Sequence, residues 1–166
     1  MKYIWYMELK DPFQKMAIAE DGRGITDVCF CLDQEKKLEN TIRQKTPLLE
    51  QAMEQLKEYF AGERKEFDLP LSLHGTKFQI EDWKALQTIP YGETRSYQQI
   101  AEQLGNPKAS RAVGMANHRN PIAVIIPCHR VIGKNGSLTG YAEGVEIKQA
   151  LLELEHQHIQ SHSSSK

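Results

Sequence analysis

Cysteines are few in this 166-residue sequence, and long apolar runs are absent from it. The three cysteines, Cys29, Cys31 and Cys128, are an odd number without the spacing of a disulfide framework, which is typical of proteins from reducing compartments. No segment approaches the ~20 apolar residues that cross a bilayer, and the first residues lack the basic-then-apolar pattern of a secretion signal. We therefore expect a cytoplasmic protein with no membrane partner.

A metal-binding set is also missing. Cys29 and Cys31 lie two residues apart within an apolar run, and no histidine lies near them in the sequence. Zinc sites usually combine four cysteine and histidine ligands. The pair is therefore interpreted as two structural side chains on one face of a strand, and we expect no bound metal.

The net charge of the chain is only −1, which argues against a protein that holds nucleic acid through bulk electrostatics. The charge is unevenly distributed, however. Residues 1–75 carry 11 Lys and Arg against 14 Asp and Glu, whereas residues 95–134 carry six Lys and Arg against one Glu. The positive charge surrounds Cys128, where it indicates either a site for an anionic partner or an ordinary solvated basic face.

The chain reads as two halves, and its length allows one ordinary domain or two small ones. In the first half, alternating apolar residues predict three strands, at 3–9, around 16–18 and at 25–32, joined by short turns into an antiparallel meander. Thr46-Pro47 then opens a helix with apolar residues at helical spacing. This helix is expected to cover one face of the sheet.

Short helices dominate the second half. The sequence predicts a helix over 78–86 capped by Thr76, a helix over 97–104 capped by Ser96, the turn Gly105-Asn106-Pro107 and a helix over 108–117. Two short helices across a glycine-containing turn match a helix–turn–helix, which binds DNA with its second helix. A plain helical hairpin in a core is the alternative.

The second of these helices has an unusual surface for a helix that binds in the major groove. One long side chain, Arg111, stands among small ones: Ala109, Ser110, Ala112, Gly114 and Ala116. Small residues allow close approach to the narrow minor groove, where proteins insert single side chains to open a base stack. Arg111 is therefore either a finger that replaces an extruded base or a phosphate contact.

The segment Pro127-Cys128-His129-Arg130-Val131 places a thiol beside an imidazole, and the apolar run 122–126 before it predicts a buried strand. Thiolate is the nucleophilic form of cysteine, and a nearby histidine can populate it near neutral pH. Neighbours on an extended strand point to opposite faces, so His129 can act on Cys128 only if the chain bends or a water bridges them. The alternative is an ordinary core cysteine next to a surface imidazole.

Several motifs, in one order from about Phe78 to Glu155, resemble the alkylguanine-DNA alkyltransferase family. They are Ile89-Pro90-Tyr91-Gly92-Glu93-Thr94 with Ser96-Tyr97, Arg111-Ala112-Val113-Gly114, Asn120-Pro121, Pro127-Cys128-His129-Arg130-Val131 and Gly140-Tyr141. The resemblance implies an α+β fold. A small ribonuclease-H-like N-terminal domain at 1–75, with an antiparallel sheet and a helix, would precede a mostly helical, winged-helix-like DNA-binding domain at 76–160 and a flexible tail at 161–166.

The resemblance also implies the reaction. A methyl or other alkyl group would move once from the 6-oxygen of guanine, or more weakly from the 4-oxygen of thymine, to the sulfur of Cys128. The base would be flipped out of the duplex, because the sulfur cannot reach an oxygen inside the stack. His129 would act as the base through a water, Glu155 would orient the imidazole and Asn120 would brace the loop. The chemistry needs no cofactor, and its thioether product is final.

The same resemblance implies the DNA contacts and the substrate pocket. The expected partner is double-stranded DNA with alkylated bases, bound through the minor groove by a monomer. Tyr97 would rotate the target phosphate and hydrogen-bond the guanine, while Arg111 would fill the stack. The other residues expected to contact DNA are Gln98, Asn106, Ser110 and Ala112, and the pocket residues are Tyr97, Val131, Tyr141, Ala142 and Glu143.

Three positions depart from the family pattern. Glu143 stands where relatives usually have a small residue, so poorer reaction with bulky benzyl adducts is expected. Asp82 occupies a position that is usually apolar, and it is expected at a solvent edge or beside Lys77 or Lys84. His118 belongs to a less common version of its segment and adds charge only when protonated.

Two other functions remain open from the sequence. A non-catalytic, lesion-sensing protein of the alkyltransferase-like type would use the same helix pair, although such proteins lack the reactive thiol that Cys128 supplies. A cysteine hydrolase would use the same thiol, although no separate set of oxyanion donors is evident in the sequence.

Overall fold

The computed structural model describes residues 1–31, 40–138 and 141–163, with side chains described up to residue 159. It divides into two compact units. The first contains Met1–His74 and Pro121–Ala123, and the second contains Gly75–Asn120 and the chain from Val124 onward. The elements of the first unit are β1 (Lys2–Glu8), β2 (Lys15–Glu20), β3 (Ile25–Phe30), β4 (Thr41–Arg43) and α1 (Pro47–Phe60). Those of the second are α2 (Lys77–Leu86), β5 (Arg95–Ser96), α3 (Tyr97–Gln103), α4 (Ser110–His118), a 3-10 helix (Cys128–Arg130), β6 (Val131–Ile132) and α5 (Val145–Ser163).

The first unit is built on a four-stranded sheet in the order β3-β2-β1-β4. β1 pairs antiparallel with β2, and β2 with β3, so the predicted meander is confirmed. The sheet is not wholly antiparallel as expected, because β4 pairs parallel with β1. This strand has three residues, and its Ile42 is 42 % exposed, so it carries no alternation that the sequence could reveal. Leu32, predicted at the end of the third strand, lies outside the described residues.

Helix α1 begins where the sequence predicts. The Thr46 hydroxyl accepts a hydrogen bond from the Leu49 amide at 3.2 Å, and Pro47 occupies the first turn, where no amide donor is needed. The helix contacts β1 and β2. Its buried residues are Leu49, Ala52, Gln55, Leu56 and Tyr59. Packing of this mainly apolar stripe on the sheet forms the core of the first unit.

A separate apolar cluster of the first unit contains both of its cysteines. Its buried members are Ile4, Ala17, Ala19 and Cys31, and Tyr6 and Cys29 pack against them. Cys29 and Cys31 are both thiols, with no disulfide between them. They share one cluster, as expected for structural side chains on the same face of a strand.

Capping boxes start two helices of the second unit. The Thr76 hydroxyl accepts from the Gln79 amide, and the Gln79 side chain accepts from the Thr76 amide. Ser96 and Gln99 form the same arrangement before α3. The turn at Gly105 then connects α3 to α4, and the two helices pack together as the predicted helix–turn–helix.

A two-stranded parallel sheet brings two distant segments of the second unit together. Arg95 of β5 lies opposite Val131 of β6, and Ser96 lies opposite Ile132. Strands of two residues show no periodicity, so the sequence did not predict them. Because β5 directly precedes α3 and β6 directly follows the 3-10 helix, the pairing places the start of α3 beside the segment that contains Cys128.

The predicted strand over 122–126 is wrong. These residues are all buried, but they form turns, and Val124 has a φ of 70°. Ile122 forms an isolated bridge with Val28 within the first unit. Periodicity does not distinguish a buried strand from another buried apolar segment of the same length, which is why the prediction failed. The chain therefore bends before it reaches Cys128.

Helix α5 continues to Ser163, so residues 161–163 of the predicted flexible tail are helical. Val145 at its start is 48 % exposed, and Leu151 is fully buried. Residues 164–166 of the predicted flexible tail lie outside the described part of the chain. Across the described residues, no helix combines the length and apolarity needed to cross a bilayer; the cytoplasmic location stays a prediction.

Candidate active site

Cys128 begins the 3-10 helix directly after Pro127, and it is 8 % exposed. Its sulfur accepts a hydrogen bond from the side-chain nitrogen of Asn120 at 3.1 Å. The same nitrogen donates to the Ile126 carbonyl at 2.9 Å. One amide group therefore holds both the thiol and the loop that carries it.

A buried carboxylate lies behind the residue that follows the cysteine. Nε2 of His129 is 2.6 Å from Oε2 of Glu155, and both side chains are buried. Arg130 donates from Nε to Oε1 at 2.9 Å and from Nη2 to Oε2 at 3.1 Å, and its Nη1 donates to the Ile89 carbonyl at 2.7 Å. The Gly92 amide donates to Oε1 at 3.0 Å. These donors compensate for the burial of Glu155.

The protonation of this pair follows from its surroundings. Burial raises the pKa of Glu155, but the charges and hydrogen bonds of His129 and Arg130 outweigh it and hold the pKa well below its ordinary value. Burial lowers the pKa of His129, against the opposing effect of Glu155. The imidazole is therefore neutral at neutral pH, with its proton on Nε2 and its lone pair on Nδ1. Nδ1 is buried and has no hydrogen-bond partner among the described residues, so it can serve as a base.

The thiol itself is not pre-ionised. Burial raises the pKa of Cys128 to about 11, and the charges of Glu143 and Asp82 add to this effect. The hydrogen bond from Asn120 and the charge of Lys148 act in the opposite direction. The free protein therefore holds a protonated thiol at neutral pH, in contrast to the expectation that the neighbouring imidazole populates the thiolate.

Lys148 is a site residue that the sequence did not reveal. It is 1 % exposed, and its Nζ lies 5.9 Å from the ring centre of Tyr97. Burial lowers the pKa of Lys148, whereas the charge of Cys128 raises it. A buried ammonium is thus close enough to both groups to affect them electrostatically. The sequence held one indication of its position. Lys148 precedes Glu155 by seven residues, and residues seven positions apart lie on one face of a helix.

The predicted pocket residues differ in their exposure. Val131 and Tyr141 are buried, Glu143 is half-buried and Ala142 is exposed. The hydroxyl of Tyr141 is buried and finds no hydrogen-bond partner within the described residues. Burial raises the pKa of this phenol well above its ordinary value, so it stays protonated. Gly140 lies outside the described residues.

Asp82 is fully buried, so the expectation that it lies at a solvent edge is wrong. Its partner is Asn117 on α4, whose amide, with the nitrogen towards the carboxylate, donates to Oδ2 at 2.5 Å. Beside it, Nε1 of Trp83 donates to the Ala116 carbonyl at 2.9 Å. Two polar contacts therefore join α2 to α4. Burial raises the pKa of Asp82 to about 7.

Helices α3 and α4 form a groove of about 770 Å³ in the second unit. Its lining residues are Tyr97, Lys108, Ser110, Arg111, Gly114, Met115, His118 and Arg119. The groove thus contains three of the predicted DNA contacts, namely Tyr97, Ser110 and Arg111. The other three, Gln98, Asn106 and Ala112, are exposed on the same helix–turn–helix.

The charge of this groove suits a polyanion. Lys108, Arg111 and Arg119 are exposed, and cations that neutralise phosphates supply most of the sequence-independent affinity of proteins for DNA. Within the ranges that the structure describes, no group of three or more His, Cys, Asp or Glu side chains is placed to hold a metal ion.

Two family models match the chain. The model described as "6-O-methylguanine DNA methyltransferase, ribonuclease-like domain" matches residues 1–73, and the one described as "6-O-methylguanine DNA methyltransferase, DNA binding domain" matches residues 77–157. The predicted α+β fold class, with a ribonuclease-like domain followed by a helical DNA-binding domain, is confirmed by these matches and by the structure.

Similar proteins agree with these models. The methylated-DNA–protein-cysteine methyltransferase of Methanosarcina acetivorans is 51 % identical over 154 residues, which cover 92 % of this chain and 98 % of that protein. The constitutive enzyme of the same name from Bacillus subtilis is 50 % identical over 156 residues, with coverage of 91 % and 94 %. A crystal structure of Mycobacterium tuberculosis OGT in complex with DNA is similar with a TM-score of 0.85 and 46 % identity, and the match covers 94 % of each chain.

Proposed function

The chain belongs to the 6-O-methylguanine DNA methyltransferase family, and we propose that Cys128 is the residue that receives the alkyl group. The activity is that of a methylated-DNA–protein-cysteine methyltransferase, which binds DNA and repairs it by direct reversal. The observation that carries the assignment of Cys128 is the buried hydrogen bond between His129 and Glu155. It directs the imidazole proton to the carboxylate and so makes Nδ1, on the residue next to the thiol, the proton acceptor.

The proposed reaction forms one S–C bond and breaks one C–O bond at the 6-oxygen of guanine. The thiol proton passes through a bridging water to Nδ1 of His129, and Glu155 stabilises the imidazolium. The electron pair of the broken bond stays on guanine, which takes up a proton and leaves as the neutral base. The thioether on Cys128 has no low-energy route back to the thiol, so each chain acts once and consumes no cofactor.

Nearby groups support the charge changes of this reaction. The positive charge of Lys148 and the amide of Asn120 favour the anionic sulfur of Cys128, against the effect of burial. Burial and the charge of Cys128 raise the pKa of Tyr97, so its phenol keeps a proton that it can donate to the leaving guanine. These interactions gain strength as negative charge develops on the sulfur and on the base.

The proposed substrate is double-stranded DNA with an alkylated base, approached from the minor groove. The small residues of α4, Ser110 and Ala112, allow the helix backbone to approach the narrow groove closely. The exposed Arg111 between them would occupy the space of the extruded base. Weaker transfer from the 4-oxygen of thymine, and action as a monomer, stay predictions.

A single-turnover assay tests the assignment. The protein is incubated with a duplex that contains one 6-O-methylguanine, and its tryptic peptides are weighed. We expect stoichiometric addition of one methyl group to the peptide with Cys128, and no addition in Cys128→Ser. Cys29→Ser, which removes a thiol of the first unit, is the matched control and should react as the unchanged protein does.

Two results would contradict the proposal. Tight binding to the lesion without a change of mass would mean that the protein senses damage but does not repair it. Methylation at another residue, or repeated hydrolysis of an ester or amide, would mean that Cys128 has a different role.

A further inference from the structure

Met115 is a second long side chain on the surface of α4, so the expectation that Arg111 is the one long side chain there is wrong. Met115 is 67 % exposed, whereas most large apolar residues of the described chain are buried. Contact of an unbranched thioether side chain with water costs free energy that burial would recover. Met115 also lines the groove between α3 and α4, so its side chain is placed to cover an apolar surface of whatever binds there.

The neighbours of Met115 identify that surface. The residue follows Arg111 by four positions and precedes His118 by three, so these three side chains lie along one side of α4. Lys108 and Arg119 line the same groove. An apolar group that shares a groove with several cations fits a duplex, whose phosphates flank a groove floor of base edges and deoxyribose. It does not fit an apolar protein partner, which would leave these charges unpaired.

We propose that Met115 is an apolar wedge that acts together with Arg111. When α4 enters the minor groove, the thioether side chain packs against the base step and the sugar next to the everted nucleotide. Met is among the residues that proteins insert between base steps, and one turn of helix separates it from the charged finger. Arg111 replaces the lost base, and Met115 shields the exposed face of the adjacent base pair from water.

This role makes Met115 a positioning residue, because it acts on the DNA and does not touch the reacting atoms. The inference rests on the proposed repair of duplex DNA. It predicts that Met115 contributes to reactions that require base eversion and not to reactions with a free nucleobase, which needs no opening of a stack.

The test compares two substrates in Met115→Ala and Met115→Leu. We expect Met115→Ala to lower the rate of methyl transfer from a duplex with one 6-O-methylguanine about tenfold, which corresponds to about 1.4 kcal/mol. The rate with free 6-O-methylguanine should stay within about twofold. Met115→Leu keeps an apolar side chain of similar volume and should retain the duplex rate. A 2-aminopurine next to the lesion should fluoresce less in the Met115→Ala complex, because fewer bases are unstacked.

Lys108→Ala provides the contrast, since it removes a cation of the same groove. It should weaken binding to damaged and undamaged DNA alike and lower the salt dependence by about one counterion. An unchanged duplex rate in Met115→Ala would overturn the inference, and so would equal losses with duplex and free base. If the unchanged protein transfers no methyl group, the proposed function fails; if it does and only the Met115 variants behave otherwise, the wedge alone fails.

Discussion

Nε2 of His129 lies 2.6 Å from Oε2 of Glu155, and both side chains are buried. The contact places the imidazole proton on Nε2 and leaves Nδ1 as the acceptor. Because burial lowers the pKa of His129, the ring stays neutral to more acidic pH than an exposed histidine would. The base is therefore available over the whole neutral range, while the thiol beside it remains protonated until it reacts.

The first prediction concerns the pH dependence of methyl transfer. If the thiol proton passes internally to His129, the single-turnover rate with a methylated duplex should be nearly constant from pH 7 to 9. It should fall in acid with a midpoint below 6.5, the ordinary pKa of histidine, since protonation then removes the base. Circular dichroism at each pH serves as the control for unfolding. A rate that rises about tenfold per pH unit above pH 7 would contradict this scheme, because it would mean that free thiolate, from a thiol with a pKa of about 11, is the reacting species.

The second prediction concerns Lys148. Lys148→Met keeps most of the side-chain volume and removes the charge that favours the anionic sulfur, so the pKa of Cys128 should rise further. We expect alkylation of the Cys128 peptide by iodoacetamide at pH 8, followed by mass spectrometry, to slow about tenfold, and methyl transfer to slow with it.

Lys84→Met is the matched control, because Lys84 is exposed on α2. It should leave the alkylation rate unchanged. Equal rates in Lys148→Met and the unchanged protein would show that the ammonium has no electrostatic effect on the thiol.

The third prediction concerns stability and Asp82. The pKa of this carboxyl is raised from 3.8 to about 7 in the folded protein, so its contribution to stability is complete below pH 3.8 and is lost as the pH rises through about 7. At about 1.4 kcal/mol per pKa unit, the loss approaches roughly 4 kcal/mol well above pH 7. Asp82→Asn cannot ionise, and its carbonyl can still accept from the Asn117 amide.

We therefore expect the stability advantage of Asp82→Asn over the unchanged protein to be clearly larger at pH 8.5 than at pH 5, as measured by urea unfolding at both values. Glu81→Gln, an exposed neighbour on the same helix, should show no such difference. An advantage that is no larger at pH 8.5 than at pH 5 would mean that the buried carboxylate is better compensated than this structure indicates.

The sequence itself indicated the pair Cys128 and His129, because a thiol beside an imidazole follows an apolar run. The family resemblance implied Asn120 and Glu155, and the structure places these two side chains against Cys128 and His129 respectively. The sequence could not predict the burial of Lys148, because a charged residue on a helix is normally solvated. The sequence also did not predict the pairing of β5 with β6, since strands of two residues depend on tertiary contacts alone.

Asp82 is a second charged residue whose burial the sequence did not predict. A carboxylate beside Trp83 is expected in water, and only the position of Asn117 on another helix gives it an internal partner. In the first unit, β1, β2, β3 and α1 followed from alternation and capping, because their apolar faces are long enough to show a period, whereas the three-residue β4 did not. The segment 122–126 is as apolar as a buried strand but folds as turns. Only the tertiary structure distinguishes these two conformations, because the apolar pattern is the same in both.

The last prediction concerns the size of the adduct and Glu143. This half-buried carboxylate raises the pKa of Cys128 and is expected to narrow the pocket, so it should disfavour large alkyl groups through its volume and all alkyl groups through its charge. Two variants separate these effects. Glu143→Gln removes only the charge and should raise the methyl and benzyl rates by the same factor. Glu143→Gly also removes the volume, so the ratio of benzyl to methyl transfer, measured with matched duplexes, should increase about tenfold, the effect of about 1.4 kcal/mol. A ratio that stays constant in Glu143→Gly would exclude the side chain as the limit on adduct size.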